Sequence, residues 1–198
     1  SGTRTVGAPL LVHRRCSSPM FDVSNRIAYG NLMVQAKAPK PSAIRQCLGG
    51  SSWFDVRSTA QDKYSRAEGE KVLSLLRALR QQNVPPDIYV VTPFVAVQDG
   101  LRDLIVEARD LGAWLEDPRA WVKQRVGTVH TVQGREAEAV ILVLGAPMEA
   151  QSGARNWAGM TPNLLNVAVT RAKEVVYVVG NRQLWAGAGI FSVLDDVL

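Results

Sequence analysis

The sequence predicts a three-layer α/β fold, in which a mainly parallel β-sheet lies between layers of helices. The first observation behind this prediction is that short apolar segments alternate with longer amphipathic ones along the chain, which indicates strands followed by helices. The second is that several apolar segments are continuous rather than alternating, as is typical of parallel strands covered on both faces. Together they predict right-handed crossovers between parallel strands.

Six segments have the length and composition of strands. IYVVT (88–92) and AVILVLG (139–145) are the clearest, because they are apolar almost throughout. The six predicted strands are LLV (10–12), WFDV (53–56), IYVVT (88–92), VGTVHT (126–131), AVILVLG (139–145) and VVYVVG (175–180).

Four segments between these strands have helical periodicity. In the second, Val72, Leu75, Leu76 and Leu79 fall on one face. The last begins with a threonine at the capping position and a proline after it, a common helix start. The predicted helices cover 21–30, 66–82, 96–112 and 161–173, and the predicted loops cover 37–52 and 146–161. Because neither loop resembles a domain linker and no repeat is visible, the sequence predicts a single domain over 1–198.

The composition excludes several classes of protein. No segment approaches the roughly 18 consecutive apolar residues of a membrane span, and the first residues lack the regions of a signal peptide. With two cysteines and two histidines, a structural zinc site is not expected. We therefore expect a cytoplasmic protein with no membrane partner and no metal-binding residues of its own. The net charge of +5 favours binding to polyanions, although many small domains with this charge bind no nucleic acid.

The segment that starts at Thr128 is the first candidate for a functional site. In a parallel sheet, ligands bind beyond the carboxyl ends of the strands, so functional residues are expected directly after strands. Thr128 and His130 share one face of a strand end, and their side chains can bind phosphate or sugar oxygens of a nucleic acid. Gly134 then permits close approach of a ligand, and the Glu136 carboxylate can accept a hydrogen bond from a ribose hydroxyl. A surface turn with solvated charges explains the same residues equally well.

Arg171 is the second candidate because of its position in the predicted helix 161–173. At about 100° per residue, it falls inside the apolar arc of this helix. A guanidinium keeps its proton, so burial there requires an anionic or strongly accepting partner. The partner is a phosphate in one interpretation and an internal carboxylate in another, and in a third the helix end frays and the arginine reaches water.

Two further segments follow predicted strands. Arg14 and Arg15 form an arginine pair after the first strand, which suits an anionic ligand but by itself is more typical of an ordinary surface. Thr92 and Pro93 end the strand 88–92 and precede a helix, whose N-terminus attracts anions. This strand–Thr–Pro–helix order is also a routine connection.

Four segments together resemble the second RecA-like motor domain of superfamily 1 helicases, in the branch related to the nonsense-mediated-decay RNA helicase and similar DNA helicases. GTVHTVQGREAEAVILVLG is similar to motif V of this family, and NLLNVAVTRAKEVVYVVGN is similar to motif VI. VVTPFVAVQDGLRDLI resembles the segment with the Thr-Pro-aromatic turn, and LVHRRCSSPMFDVSNRIAYG the motif that opens the domain. The four segments occur in the family's order and cover nearly the whole chain.

The resemblance implies an ATP site between two RecA-like domains, of which this domain forms one wall. Arg171 matches the motif VI arginine that contacts the γ-phosphate, where a fixed guanidinium stabilises the charge that develops during hydrolysis. Arg15 matches the other phosphate-contacting arginine. The family usually has an aromatic residue before that arginine, whereas Arg14 stands there, so the assignment between the two is open.

The resemblance also assigns the remaining site residues. The motif V positions that reach the nucleotide or its sugar correspond to Gln133, Gly134 and Glu136. The positions that hold the nucleic-acid backbone correspond to Thr92, Pro93, Thr128, His130 and Thr131. His130 replaces an acidic residue found in some relatives.

The ligands implied by the resemblance are ATP with Mg²⁺ and single-stranded nucleic acid, with DNA favoured over RNA. The chain has no GxxxxGK[ST] P-loop and no Asp-Glu pair after an apolar strand, so the metal would be held by an N-terminal RecA-like domain of the same polypeptide. We therefore expect a fragment of a larger helicase that hydrolyses essentially no ATP alone. The alternative is a non-catalytic RecA-like module that binds nucleic acid or protein.

Overall fold

A computed structural model describes residues 12–36, 38, 40–60, 62–131 and 136–198 of the chain. In this part of the chain the strands are β1 (Val12–His13), β2 (Val34–Gln35), β3 (Ser52–Asp55), β4 (Ile88–Thr92), β5 (Val126–Thr128), β6 (Ala137–Val143) and β7 (Ala172–Gly180). Four of the six predicted strands overlap these at most of their residues, whereas 126–131 overlaps at only half, because β5 ends at Thr128 and residues 129–131 form a turn. The first prediction, 10–12, overlaps only at Val12, because residues 10 and 11 lie outside the described part.

Strands β3 to β7 form one sheet in the order β3-β7-β6-β4-β5, and every pairing in it is parallel. The register places Ile141 of β6 opposite Tyr177 of β7, and Val90 of β4 opposite Ile141. The short strands β1 and β2 pair separately, also in parallel. The predicted mainly parallel α/β sheet is confirmed.

The helices of the described residues are α1 (Met20–Ala28), α2 (Ala43–Leu48), α3 (Arg66–Gln81), α4 (Val95–Glu107), α5 (Gly112–Leu115), α6 (Pro118–Arg125), α7 (Ser152–Gly159), α8 (Pro162–Thr170), α9 (Arg182–Trp185) and α10 (Phe191–Val197). Two 3₁₀ turns occur at Arg109–Leu111 and Glu149–Gln151. Right-handed crossovers place α3, α4 and α6 on one face of the sheet and α8, packed on α1, on the other. All four predicted helices are present, with ends that differ by at most five residues.

The predicted loop over 37–52 is wrong, because it contains α2. Ser42 begins this helix, and its hydroxyl accepts the Arg45 backbone N–H at 3.0 Å. The carboxylate of Glu138, from β6, accepts the Ser42 hydroxyl and the Ile44 N–H. A helix of only six residues is marginal by itself, and this long-range anchor is invisible in the sequence.

The predicted loop over 146–161 is also wrong, because it contains a 3₁₀ turn and α7. The buried guanidinium of Arg155 donates to the carbonyls of Ala146, Met148 and Glu149, at 2.6–3.1 Å. The Arg155 side chain of α7 thus binds the segment that directly precedes this helix. The periodicity of the segment did not reveal this helix because its stability depends on that contact rather than on an apolar face.

The core is built from the central strands, which are apolar and covered on both faces. All residues of β4 are buried, and six of the seven residues of β6 are buried. Helices contribute large side chains to both sides of this sheet, among them Leu76, Leu101 and Leu165. In the part of the chain that the structure describes, no helix combines the length and apolar character needed to cross a membrane.

Glu68 is a buried carboxyl group at the start of α3. Its Oε2 accepts the Gly145 N–H at 2.8 Å, and its Oε1 has no hydrogen-bond partner among the described residues. Burial raises the pKa of this carboxyl to about 8, and the hydrogen bond from Gly145 opposes the rise. The folded domain therefore holds Glu68 protonated at neutral pH.

Glu68 makes the stability of the domain depend on pH. Between pH 4.5 and about 8 the carboxyl ionises in the unfolded chain but stays protonated in the folded one. The free energy of unfolding therefore falls as pH rises through this range, by at most roughly 5 kcal/mol. Glu68→Gln keeps the acceptor for Gly145 and cannot ionise. We expect this variant to lose that pH dependence and to exceed the wild type in stability at pH 8.

Urea unfolding followed by circular dichroism between pH 5 and 9 measures this effect. Glu70→Gln is the matched control, because Glu70 lies on the same helix but is exposed and paired with Arg66. A Glu68→Gln variant with the pH slope of the wild type would contradict the assignment.

Candidate functional site

The predicted site residues lie at two opposite edges of the sheet. Thr92 of β4 pairs with Thr128 of β5 at the carboxyl end of these strands. Ala137 of β6 pairs with Ala172 of β7 at the amino end. Glu136 and Arg171 directly precede these two alanines, so both belong to the amino edge.

Arg171 and Glu136 thus precede strands, whereas candidate residues were expected to follow them. The reason is that α8 ends at Thr170 and β7 begins at Ala172, so a single residue joins helix and strand. Arg171 is this residue. A motif on a helix that runs directly into a strand is placed at the amino edge of that strand.

A pocket of about 870 Å³ opens at the amino edge, between β1, the end of α1 and the last turns of α8. Its size suits a small-molecule ligand such as a nucleotide. One part of its lining is cationic and another is apolar or aromatic. The lining residues are Val12, His13, Arg14, Arg15, Tyr29, Met33, Asn166, Val167, Thr170 and Arg171.

Arg171 forms a buried part of the pocket wall, with 7% of its surface exposed. The helix does not fray at this end, because the Arg171 N–H donates to the Ala168 carbonyl. The guanidinium Nε donates to the Val167 carbonyl at 3.3 Å. Burial lowers the pKa of Arg171, the nearby charge of Arg15 lowers it further, and Glu136 opposes both effects. The side chain is thus a cation held in a pocket wall that an anion would stabilise.

Arg14 and Arg15 are both exposed, and both line this pocket. Only Arg15 is close enough to Arg171 and to His13 to lower the pKa of each. Two guanidinium groups that face one pocket repel each other, and an anionic ligand between them relieves that repulsion. Arg15 is therefore the member of the pair that lies near Arg171.

His13 is a buried residue that anchors the backbone directly before Arg14 and Arg15. Its Nε2 lies 3.1 Å from the Cys16 Sγ, and its ring packs at a tilt against Phe21 with 5.5 Å between ring centroids. Burial lowers the pKa of His13, and the charge of Arg15 lowers it further. A neutral His13 is packed under the pocket while the two arginines after it face outward.

A partly buried hydrogen bond between side chains joins α1 to α8 under the pocket. The Ser24 hydroxyl donates to the Asn166 side-chain oxygen at 2.7 Å. The Thr170 hydroxyl donates to the Asn166 carbonyl at 2.7 Å, which closes the last turn of α8 before Arg171. These contacts fix the distance between the helix that carries Arg171 and the segment that carries Arg15.

An irregularity in the sheet lies directly beside Arg171. Ala137 pairs with Ala172, but Ala139 pairs with Val175, so two steps along β6 face three along β7. Bulges of this kind commonly change the direction of side chains next to functional sites. In the bulged stretch Glu174 is buried, and its carboxylate accepts the Lys40 N–H at 3.0 Å.

The motif V residues are only partly described by the structure. Glu136 is exposed at the amino edge, and its charge acts on Arg171. Gln133 and Gly134 lie outside the described residues, so their assignment to the nucleotide stays a prediction.

The carboxyl edge contains the residues that were assigned to nucleic acid. Thr92 and Pro93 are buried, and the Thr92 hydroxyl accepts the Phe94 N–H at 3.3 Å. Thr128 is buried too, and its N–H donates to the Gln98 side chain at 3.0 Å. A direct side-chain contact of these three residues with a nucleic acid stays a prediction, and the structure gives them a local role in joining β4, β5 and α4.

His130 and Thr131 are the two exposed members of this set. The turn that holds them is closed by Thr131, whose N–H and hydroxyl both donate to the Thr128 carbonyl, at 2.9 and 2.8 Å. A second bond, from the Val129 N–H to the Thr92 carbonyl, ties this turn to the end of β4. His130 is thus presented to solvent at the carboxyl edge on a fixed backbone.

The sequence reasoning missed the apolar side of the pocket, which Tyr29 and Met33 form. Tyr29 lies near the end of the predicted helix 21–30, and Met33 follows that helix. Nothing in the local pattern at either position indicates a ligand. It also missed Asn166, which lines the pocket from α8. Among the described residues, no group of three or more His, Cys, Asp and Glu side chains is arranged to hold a metal ion.

Comparison with known proteins identifies the family. Residues 12–183 match the AAA domain family, which covers most of the chain. The chain belongs to this family. The prediction of a helicase-like RecA fold is confirmed.

The chain is similar to parts of two ATP-dependent helicases. It is 32% identical over 123 residues to an uncharacterised ATP-dependent helicase of Methanocaldococcus jannaschii, which covers 61% of this chain and 15% of that protein. It is 36% identical over 119 residues to the ATP-dependent helicase Upf1 of Schizosaccharomyces pombe, covering 59% of this chain and 12% of that protein. The matched region is thus a small part of the length of these relatives.

The chain is also partly similar to a solved structure. That structure is the C-terminal domain of a possible DNA helicase from Lactobacillus plantarum, with 14% identity and a TM-score of 0.45, over 88% of this chain and 92% of that one.

The contact between Ser24 and Asn166 predicts a stability effect that can be measured. Ser24→Ala removes the donor to the partly buried Asn166 side-chain oxygen, so we expect the free energy of unfolding to fall by about 1 kcal/mol. Ser74→Ala is the control, because that hydroxyl is exposed and donates only within its own helix to Lys71. Urea unfolding of both variants measures the difference, and equal stabilities would show that this contact does not hold α1 to α8.

Proposed function

We propose that this chain is a motor domain of an ATP-dependent helicase or translocase, and that its amino edge forms one wall of an ATP site. The observation that carries the proposal is the pocket in which Arg15 and Arg171, from opposite ends of the sequence, face the same space. Membership of the AAA domain family and similarity to ATP-dependent helicases support the same reading.

The chemistry of the two arginines suits the phosphates of ATP. Attack of water on the γ-phosphorus breaks the bond to the bridging oxygen and moves negative charge over the phosphate oxygens. A guanidinium already fixed beside those oxygens stabilises this charge without reorganisation. Arg171 meets that requirement, because its backbone caps α8 and its Nε is held by the Val167 carbonyl. Arg15 is exposed and adds a second positive charge.

The rest of the ATP site would come from an N-terminal RecA-like domain. The chain lacks the P-loop that cradles phosphates and the acidic pair that would hold Mg²⁺. The N-terminal domain would therefore form the second wall of the site and supply the residues that hold Mg²⁺. On this reading the chain alone binds ATP weakly and hydrolyses essentially none.

Single-stranded nucleic acid would bind at the opposite, carboxyl edge. His130 and Thr131 are exposed there and can donate hydrogen bonds to phosphate oxygens. The net charge of +5 favours a polyanion. The two ligands are then separated by the length of the central strands. Thr128 at the carboxyl edge and Glu136 at the amino edge are eight positions apart in the sequence.

Arg171→Ala tests the proposed role of the guanidinium in hydrolysis. In the polypeptide that includes the partner domain, we expect nucleic-acid-stimulated ATPase activity to fall at least about 100-fold, since arginine fingers contribute 10³–10⁵ in kcat. Strand binding should be largely intact, because Arg171 lies at the other edge. The measurement is phosphate release with and without single-stranded nucleic acid.

Arg77→Ala is the matched control for this experiment. Arg77 is exposed, pairs with Asp110 and is not part of the pocket wall, so its loss should leave turnover unchanged. Undiminished turnover of Arg171→Ala would overturn the assignment. Loss of strand binding together with turnover would point to a structural role instead.

Arg15 and Arg14 can be separated by the same measurement. Because only Arg15 lies near Arg171, we expect Arg15→Ala to reduce ATP turnover by at least about tenfold, and Arg14→Ala to reduce it by less, in line with a missing phosphate contact. The reverse order would assign the phosphate contact to Arg14.

A further inference from the structure

The exposed large apolar side chains of the described residues fall into two groups. Val12 and Tyr29 line the pocket at the amino edge, and Leu32 and Val34 are exposed on the chain next to them without lining it. Val95, Trp157 and Met160 have no part in that pocket. Within this second group Trp157 is the large aromatic side chain, and half of its surface is exposed.

Trp157 stands on α7 and packs on Phe94. The two ring centroids are 6.1 Å apart, with 35° between the ring planes. Phe94 is buried and also contacts Trp185, so it forms a fixed support for the indole. Half of the surface of Trp157 is exposed. The indole is thus held in one orientation with much of its surface open to solvent.

The segment that carries Trp157 is itself held rigidly. Arg155 fixes the chain before α7 through three carbonyls. At the other end of α7, Gly159 lies so close to the 188–189 backbone that an added Cβ would be 2.3 Å from the Ala188 carbonyl oxygen. The backbone that carries Trp157 is therefore held by contacts before and after the indole, which lowers the entropic cost of stacking on it.

This aromatic surface is continuous with the part of the edge already proposed to bind nucleic acid. Phe94 follows Thr92 and Pro93, and the Thr92 carbonyl accepts the Val129 N–H from the turn that presents His130. Lys63 lies on the same support, with its Nζ 5.8 Å from the centre of the Phe94 ring. The ion pair of Lys63 with Asp62 is exposed and 3.8 Å long, so it competes weakly with a phosphate.

We propose that Trp157, supported by Phe94, is a stacking platform for a base of single-stranded nucleic acid, with Lys63 beside it for the backbone phosphate. This proposal rests on the function proposed above and adds a base contact to it. Tryptophan presents a π-face that accepts any base, and aromatic side chains next to a cation are the usual means of binding a single strand without reading its sequence.

A protein partner fits the same surface less well. Stable protein interfaces involve roughly 20–30 residues on each side, whereas this surface has three exposed apolar side chains. A planar base, in contrast, is about the size of one indole. The adjacent ammonium group also has an obvious counterpart in a phosphate and none in an apolar partner surface.

Two independent changes test the platform, one in the protein and one in the strand. The affinity of the 198-residue chain for a labelled short oligothymidylate is measured by fluorescence anisotropy, with quenching of tryptophan emission recorded in parallel. We expect Trp157→Ala to weaken binding at least about fivefold, since stacking of one base contributes this much or more. Trp157→Phe should recover most of the affinity because it restores an aromatic face.

The second change replaces the oligothymidylate by an abasic sugar-phosphate strand of the same length and charge. The wild type should bind this strand at least about fivefold more weakly, and Trp157→Ala should bind both strands alike. This part of the test does not depend on the folding of a variant. Leu32→Ala is the matched control, because it removes a more exposed apolar side chain from the opposite edge and should leave both affinities unchanged.

Several outcomes would overturn the platform. Equal affinity of the wild type for the two strands, or wild-type affinity in Trp157→Ala, would leave strand binding in place without a base contact. No binding of either strand would remove both the platform and the nucleic-acid part of the proposed function. Tryptophan quenching that follows protein concentration rather than strand concentration would assign the surface to self-association. The ATPase result for Arg171→Ala is separate from all of these and decides the role of the amino edge.

Discussion

The structure depends most on the parallel pairing of β6 with β7 at the centre of the sheet. Both strands are apolar and buried on both faces, so their burial provides much of the hydrophobic stabilisation and leaves no freedom in register. The register places Ala137 opposite Ala172, and this fixes Glu136 and Arg171 side by side at the amino edge. At the other end of the same strands, the chain after β6 turns through Gly145, which bonds the protonated Glu68 and the Trp185 indole. Both candidate surfaces are therefore built on one pair of strands.

A consequence of this arrangement is that the two proposed ligands meet the same rigid element from opposite ends. Arg171 is held by its own helix end, whereas the Trp157 platform is held by the Arg155 contacts with the preceding chain. Neither site is on a loop without support. The contact between Ser24 and Asn166 opposes a change in the position of α8 relative to α1. Such a change would alter the distance between Arg15 and Arg171 before it disturbed the sheet. Coupling between ATP and a strand, in the proposed function, would use this helix pair.

Buried polar groups have different roles at the two edges. At the amino edge Arg171 and His13 are buried, and burial together with the charge of Arg15 lowers the pKa of each. At the carboxyl edge burial keeps the Glu68 carboxyl protonated at pH 7.

The sequence by itself determined the α/β class, the central strands and the four main helices, because continuous apolar strands and amphipathic helices are local patterns. It also singled out Arg171 through its place in an apolar arc. The tertiary structure decided what depends on distant contacts. It placed Arg171 and Glu136 at the amino edge, and it formed α2 around Glu138 and α7 around Arg155. It also chose Arg15 over Arg14 as the neighbour of Arg171. None of these features has a local signal, because each is stabilised by residues that meet only when the sheet forms.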